Sequence, residues 1–397
     1  MFNRLPKAKL DALVRVGQRL RADNRPEKLD LGVGVYRDAE GLTPVLGVVK
    51  IAEQELNNVQ TSKSYLPPDG DPDFIKMMID LVLSKNAPEL AAAQAPGGTG
   101  AFHQALALIK ATGKNARIWV GTPTWPNHIP MIDHSGLRYQ TYAYYDIGTQ
   151  SPCFEILVNA MERADRGDLF LLHGCCHNPT GSDLSREQWS EVADVMQKKG
   201  LIALIDFAYQ GFGLGCDEDA LGVRLLAALL PHVIIAASCS KSFSLYQERT
   251  GIIIVKCETA AEAERVQSAL QSLARLNYSN PPGHGAAIVR TILANPTLHA
   301  QWLSELASMR DRVTGIRNQL GMMENAAEQD LQWLVKGNGL FATFEMTPAQ
   351  CERMGSEFAI HMPDTGRINI AGLTQENVER FAMALKSVKE VLVENAC

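Results

Sequence analysis

DLFLLHGCCHNPTGSDLSREQWSEVADVMQKKGLIALIDFAY (168–209) reads as strand, loop, helix and strand. Its two ends, DLFLLHGCC (168–176) and LIALIDFAY (201–209), are apolar runs of strand length without polar alternation. Runs of that kind suit strands buried on both faces. The middle, SREQWSEVADVMQKKG (185–200), carries helix boundary signals, with Ser185 as N-cap and Gly200 just past the last turn. Alternation of this kind indicates a mostly parallel sheet covered by helices.

The pattern extends both ways, from about residue 96 to 260. Further strand candidates are ARIWVGTP (116–123), LRYQTYAYY (137–145), HVIIAASCSK (232–241) and GIIIVKC (251–257). The expected fold class is α/β, with a mostly parallel sheet of the seven-stranded type sandwiched by helices. At the N-terminus, Leu10, Leu13, Val14 and Val16 cluster at helical spacing and predict an amphipathic helix through Arg21. LDLGVGVYRDAEGLTP (29–44) then reads as a glycine-punctuated strand and turn. After about residue 300 the texture changes. A long charged helix (297–323) gives way to short strands and a final helix ending near Val393. These features predict a smaller, discontinuous α+β domain. The expected division is an arm over 1–10, a first small-domain part over 11–43, a large domain over 44–308 and a second small-domain part over 309–397.

Of the 397 residues, 46% are hydrophobic and 21% charged, which suits a globular chain rather than a disordered one. A net charge of −6 offers no electrostatic case for nucleic acid or an anionic membrane. The eight cysteines (Cys153, Cys175, Cys176, Cys216, Cys239, Cys257, Cys351 and Cys397) read as free thiols in a reducing compartment. The start MFNRLPKAKLDALVRVGQRL lacks the apolar core of a secretory signal, and Asp11 argues against a transit peptide. No run reaches the ~18 apolar residues of a membrane span. The expected location is cytoplasmic.

Residues with chemistry collect where strands end, the usual ligand edge of an open α/β sheet. Lys241 closes ASCSKSF; partial desolvation there lowers an amine pKa and makes it nucleophilic. Ser238 and Ser240 offer hydroxyls to an anion, and Arg249 offers a guanidinium fork. Alone, S-x-S-K is more often an exposed strand-end lysine. In APGGTGAFHQALALIK (95–110) glycines open into a helix, whose free N–H groups suit a phosphate. It is neither a Walker loop nor G-x-G-x-x-G. Asp206 of DFAYQGF follows a buried run and needs a cationic partner, such as a pyridinium N–H. The alternative is an aspartate capping the next helix. Tyr209 lies three residues on. HGCCHNPTG (173–181) presents Asn178 on a proline turn, and its His and Cys spacing is wrong for structural zinc, so no metal is expected. Trp125 in PTWPNH can stack on a ring, and Arg367 in TGRINIAGL can clamp a carboxylate. Arg275, Ser279 and Asn280 precede a Pro-Pro turn, and Tyr65 sits in SKSYLPPDG; each, alone, is more often a structural loop residue.

Taken together and in order, GGTG, TWPNH, HGCCHNPTG, DFAYQGF, SxSK–x₇–R and GRINIAG resemble the fold-type I aminotransferases of the aspartate/aromatic subgroup, over essentially the whole chain. That resemblance implies pyridoxal 5'-phosphate as cofactor, held in the large domain and joined to Lys241 as a Schiff base. It implies that Lys241 also moves the proton, that Asp206 pairs with the ring nitrogen, and that Asn178 and Tyr209 bind the phenolate oxygen. Trp125 stacks on the ring beside the substrate, and Gly98, Thr99, Ser238, Ser240 and Arg249 hold the phosphate. Arg367, helped by Asn178, takes the substrate α-carboxylate, and Val33 and Gly34 lie on a segment that closes over it. Tyr65, Arg275 and Ser279 are implied to reach the neighbouring subunit's site, making a homodimer with shared active sites. There Tyr65 assists catalysis, Tyr65 and Ser279 touch cofactor, and Arg275 faces substrate; Asn280 is also implied to bind substrate.

The implied reaction passes an amino group from an aromatic amino acid or aspartate to 2-oxoglutarate. Val35, Arg37, Thr43, Thr99 and Asn280 are similar to aspartate-specific members; Ser64 departs from the usual asparagine; AASCSKSFSLYQERTG (236–251) and RINIAGL (367–373) are similar to bacterial aromatic members. Open alternatives are a strictly aspartate-specific enzyme, or a β-lyase or decarboxylase on the same scaffold. A cofactor-binding regulator lacks a basic N-terminal extension for DNA, and a nucleotide enzyme lacks the P-loop lysine.

Overall fold

Seven strands build the central sheet of the computed structural model, which describes residues 2–5, 12–323 and 331–394. In chain order they are β1 (Leu90–Pro96), β2 (Arg117–Thr122), β3 (Arg138–Ala143), β4 (Leu169–His173), β5 (Ile202–Phe207), β6 (Val233–Ser238) and β7 (Thr250–Lys256). Their spatial order is β1-β7-β6-β5-β4-β2-β3. Only β7 runs antiparallel to its neighbours. The sheet is therefore mostly parallel, as the apolar runs predict. All six residues of β6 are buried, and its alternate side chains enter two cores: Ile235 and Ala237 on one face, Ile234 and Ala236 on the other.

Three sequence expectations shift. LRYQTYAYY does not stay one strand: β3 ends at Ala143, and Tyr145–Asp146 pairs instead with Ser151–Pro152. β1 appears where LAAAQAP carries no β-branched residue, so only its place beside β7 makes it a strand. Lys241 lies in a turn three residues beyond Ser238 rather than on β6 itself.

The helices follow their boundary signals. Arg186–Lys199 begins with a capping box, Ser185 accepting from the Gln188 N–H and Gln188 reaching back. The long helix runs Pro296–Gly321, and Asn295 Oδ1 accepts from the Thr297 and Leu298 N–H groups. This helix anchors the lysine turn. Trp302, fully buried, stacks on Phe243 at 4.4 Å, and its Nε1 donates to the Ser242 carbonyl at 2.8 Å. Such an aromatic pair contributes about 0.5–1.5 kcal/mol beyond its burial. Near the N-terminus, a helix covers Ala12–Ala22; Leu10, expected on its apolar face, lies outside the described residues. Only Leu29–Asp30 of the glycine-punctuated stretch is strand, and it pairs in parallel with Ile360–His361. The first strand thus lies with the last part of the chain. The final helix runs Val378–Glu394. No helix among the described residues is long and apolar enough to cross a membrane.

Candidate active site

Parallel register aligns the carboxyl ends of the strands. His173 on β4 faces Asp206 on β5, which faces Ala236 on β6. Beyond that edge opens a cleft of about 470 Å³. Ten expected residues line it: Gly98, Thr99, Trp125, Asn178, Asp206, Tyr209, Ser238, Ser240, Lys241 and Arg249. Phe102 and Ala208 line it as well.

At one end the groups suit an anion. The helix Gly97–Ala111 points its N-terminus at the cleft directly after β1. Gly97 has φ +71°, and a Cβ there would meet the Arg249 guanidinium at 2.6 Å. The glycine is what lets the arginine lie against the helix start. Arg249 Nη1 donates to Ser240 Oγ at 3.3 Å and to the Tyr246 carbonyl at 3.1 Å.

At the other end lie Lys241 and Asp206. Burial lowers the Lys241 pKa, the Asp206 carboxylate opposes that shift and the Arg249 charge adds to it. Lys241 Nζ sits 5.3 Å from the centre of the Tyr209 ring. Burial would raise the Asp206 pKa, yet the net shift is downward, chiefly through the neighbouring His128 imidazole, with a smaller contribution from Lys241. The protein itself places an imidazole beside Asp206: His128 Nε2 lies 3.2 Å from Asp206 Oδ2. Behind it, Thr124 Oγ1 joins His128 Nδ1 at 2.8 Å to His173 Nε2 at 3.1 Å. Burial drops His173 to a pKa of about 3, so that ring stays neutral.

His128, Thr124 and His173 were not anticipated as site residues. The available signal was Thr124 and His128 four residues apart in TWPNH, and His173 closing a strand. Their meeting depends on strand register, which sequence periodicity does not carry.

The groups fit a phosphorylated pyridine. The Asn178 side chain is buried, and its Oδ1 has no hydrogen-bond partner among the described residues. Asp206 is anionic where a pyridinium would sit, Trp125 offers a ring face, and the Gly97–Arg249 end suits a phosphate. Cys175, Cys176 and Asp219 form a buried donor group within 4.8 Å. Asp219 there accepts from the N–H groups of Gly211, Gly213 and Leu214 at 2.7–2.9 Å, and burial raises both thiols. These are properties of a structural anchor rather than a metal site.

Arg367, Val33 and Gly34 lie outside the residues lining that cleft. Arg367 is buried, 4.5 Å from the Phe341 ring centre, and donates to the Gly32 carbonyl. Its charge reaches the Tyr209 phenol, where it opposes the upward shift caused by burial. Gly34 packs so close to Phe341 that a Cβ would stand 2.7 Å from the ring. Tyr65, Arg275, Ser279 and Asn280 also lie outside the cleft lining. Tyr65 is 92% exposed, and Arg275 Nη1 donates to Ser279 Oγ at 2.5 Å. Asn280 donates to the Leu66 carbonyl at 2.6 Å.

Similarity to known proteins covers nearly the whole chain. The chain is 45% identical to a tyrosine aminotransferase of Rhizobium meliloti (strain 1021), over 96% of this chain and 98% of that protein. It is 42% identical to an aspartate aminotransferase of Salmonella typhi, over 98% and 100%. A crystal structure of an aromatic-amino-acid aminotransferase from Burkholderia pseudomallei, covalently bound to pyridoxal phosphate, superposes with a TM-score of 0.94 at 37% identity, over 98% of this chain and 99% of that one. The family model for aminotransferase class I and II matches residues 26–385, and the chain belongs to that family.

Proposed function

We propose that this enzyme transfers the amino group of an aromatic amino acid or aspartate to 2-oxoglutarate, using pyridoxal phosphate held by Lys241. The observation that carries the reading is the convergence of Lys241, Asp206, Asn178, Tyr209 and Arg249 on one cleft. Relatives named for tyrosine and for aspartate support substrates of both kinds. Bound pyridoxal phosphate supplies an electron sink for the substrate Cα–H bond.

The residues supply the rest. Arg249, Ser238, Ser240, Gly98 and Thr99 grip the phosphate. Asp206, held anionic by His128, keeps the ring nitrogen protonated. Asn178 and Tyr209 bind the ring oxygen, and Trp125 covers the ring. Arg367 clamps the substrate α-carboxylate, while Val33 and Gly34 exclude water above it. The Lys241 amine, whose pKa burial lowers, takes the proton from Cα and delivers it one position over. The two halves of the reaction use the same groups in opposite order.

A homodimer with shared sites accounts for the position of Tyr65, Arg275, Ser279 and Asn280 outside their own cleft. We assign them to the second subunit's site, with Arg275 facing a distal carboxylate. The division into a large domain over 44–308 and a small one over 11–43 and 309–397 is supported by the pairing of Leu29–Asp30 with Ile360–His361. The free thiols among the described cysteines suit a cytoplasmic setting; Cys397 lies outside the described residues.

The test is spectroscopic. The purified protein with pyridoxal phosphate should absorb visible light, lose that band in Lys241→Ala, and lose it reversibly on adding glutamate. A colourless protein indifferent to added cofactor would overturn the reading. Comparing kcat/KM for aspartate, tyrosine and phenylalanine with 2-oxoglutarate then ranks the substrates.

A further inference from the structure

The turn that carries Lys241 and Arg249 also touches the segment over the substrate, through one side chain. Tyr246 lies between those two residues. Its carbonyl accepts from Arg249 Nη1 at 3.1 Å. Its hydroxyl, at the other end of the residue, accepts from the Tyr36 backbone N–H at 2.8 Å, across 210 positions of sequence. Burial pushes the Tyr246 phenol up to about 12, so it stays neutral at working pH.

Tyr36 ends the segment that begins at Gly32. The other side of that segment is held from the C-terminal part of the chain. Asn369, fully buried, donates its amide to the Val33 and Val35 carbonyls, both at 2.7 Å, and Arg367 donates to the Gly32 carbonyl. The Tyr36 carbonyl accepts from Thr43 Oγ1 at 3.0 Å. Residues 32–36 are thus suspended between Asn369 and Arg367 on one side and Tyr246 on the other.

We propose that Tyr246 is a positioning residue that ties the seating of residues 32–36 over the substrate to the turn that grips the cofactor phosphate. Resting on the transaminase reading, the proposal adds a link between two sets of residues that otherwise act separately. The hydrogen bond to the hydroxyl comes from backbone, so its effect is on the seating of the segment and is indifferent to the substrate's side chain. A Tyr246→Phe change leaves in place the ring and the Tyr246 carbonyl that accepts from Arg249 Nη1, and removes the acceptor for the Tyr36 N–H.

The experiment uses the holoenzyme with two readouts. Steady-state kinetics of Tyr246→Phe should show KM raised about tenfold for aspartate and for phenylalanine alike, with kcat within about threefold. That is the equivalent of about 1.4 kcal/mol, one unsatisfied hydrogen bond. Hydrogen exchange read by mass spectrometry should quicken in the peptide covering residues 31–38, with the peptide covering 236–249 unchanged. Unaltered KM together with unaltered exchange over 31–38 would overturn the proposal. So would a fall in kcat with KM constant, or a KM effect confined to one substrate class. If that variant misfolds, Tyr246→Met, also without an acceptor oxygen, carries the same two readouts. A wild-type holoenzyme that turns over no amino acid would defeat the transaminase reading instead, and exchange alone would then decide whether Tyr246 holds the segment.

Discussion

Asp206 keeps a lowered pKa inside a cleft whose burial pushes it the other way. The opposing influence is His128 at 3.2 Å, itself fixed through Thr124. In the proposed reaction the charge matters because an anion at Asp206 would stabilise a protonated ring nitrogen, and with it the electron sink. Asp206→Asn keeps the shape and removes the charge. Loss of one preorganised electrostatic group costs about 100-fold or more in rate. We therefore expect kcat with glutamate to fall at least about 100-fold while the cofactor still binds Lys241; a fall below about fivefold would contradict the role. Asp206 was legible in the sequence because it directly follows the apolar run LIALI, Lys241 because it closes the segment HVIIAASCSK, Asn178 because it stands before Pro179, and Arg249 because it lies eight residues beyond Lys241. His128 was not, because its partner sits 78 positions away on a neighbouring strand, and nothing in TWPNH states which strand will lie beside it.

Strands with branched apolar side chains declared themselves; β1 did not. LAAAQAP has the composition of a helix, and its seven-residue pairing with β7 overrides that preference. The antiparallel direction of β7 was equally hidden, since an apolar run has no sense of direction. The turn after β5 shows how an element is held once register has placed it. Asp219 accepts three backbone N–H groups from residues 211–214, just beyond Asp206 and Tyr209. Burial raises its pKa from 3.8 to about 6, against those N–H bonds. The folded state therefore holds this proton more tightly than the unfolded state between those two values. Stability from this group falls as pH rises through that window, by about 1.4 kcal/mol per unit at most. Asp219→Asn has no such proton. The melting temperature of the wild type, measured relative to that variant, should decline from about pH 4 to about pH 6. Parallel curves would show that the N–H groups hold the carboxylate at its ordinary value.

At the scale of the whole molecule, one chain carries a cleft proposed to hold the cofactor and, apart from it, a set made by exposed Tyr65 and Arg275 and half-buried Ser279. Leu276, beside Arg275, is 82% exposed, an apolar side chain that a second subunit would cover. If each site draws Lys241 from one chain and Arg275 from the other, defects in the two residues complement. In the half-reaction with the amino donor alone, Arg275→Ala should lose reaction with aspartate far more than with phenylalanine, because only the dicarboxylate is left with an unpaired charge. Lys241→Ala should be inactive with both. In a dimer formed from one of each, one site lacks both residues and the other has both. Random reassociation of equal amounts makes half of the dimers mixed, so about one quarter of all sites are intact, as two-fold symmetry requires. Aspartate turnover should therefore rise from near zero in either variant to about a quarter of the wild-type value after denaturation and joint refolding. Sites built from a single chain would instead leave the mixture no more active than the average of its parts.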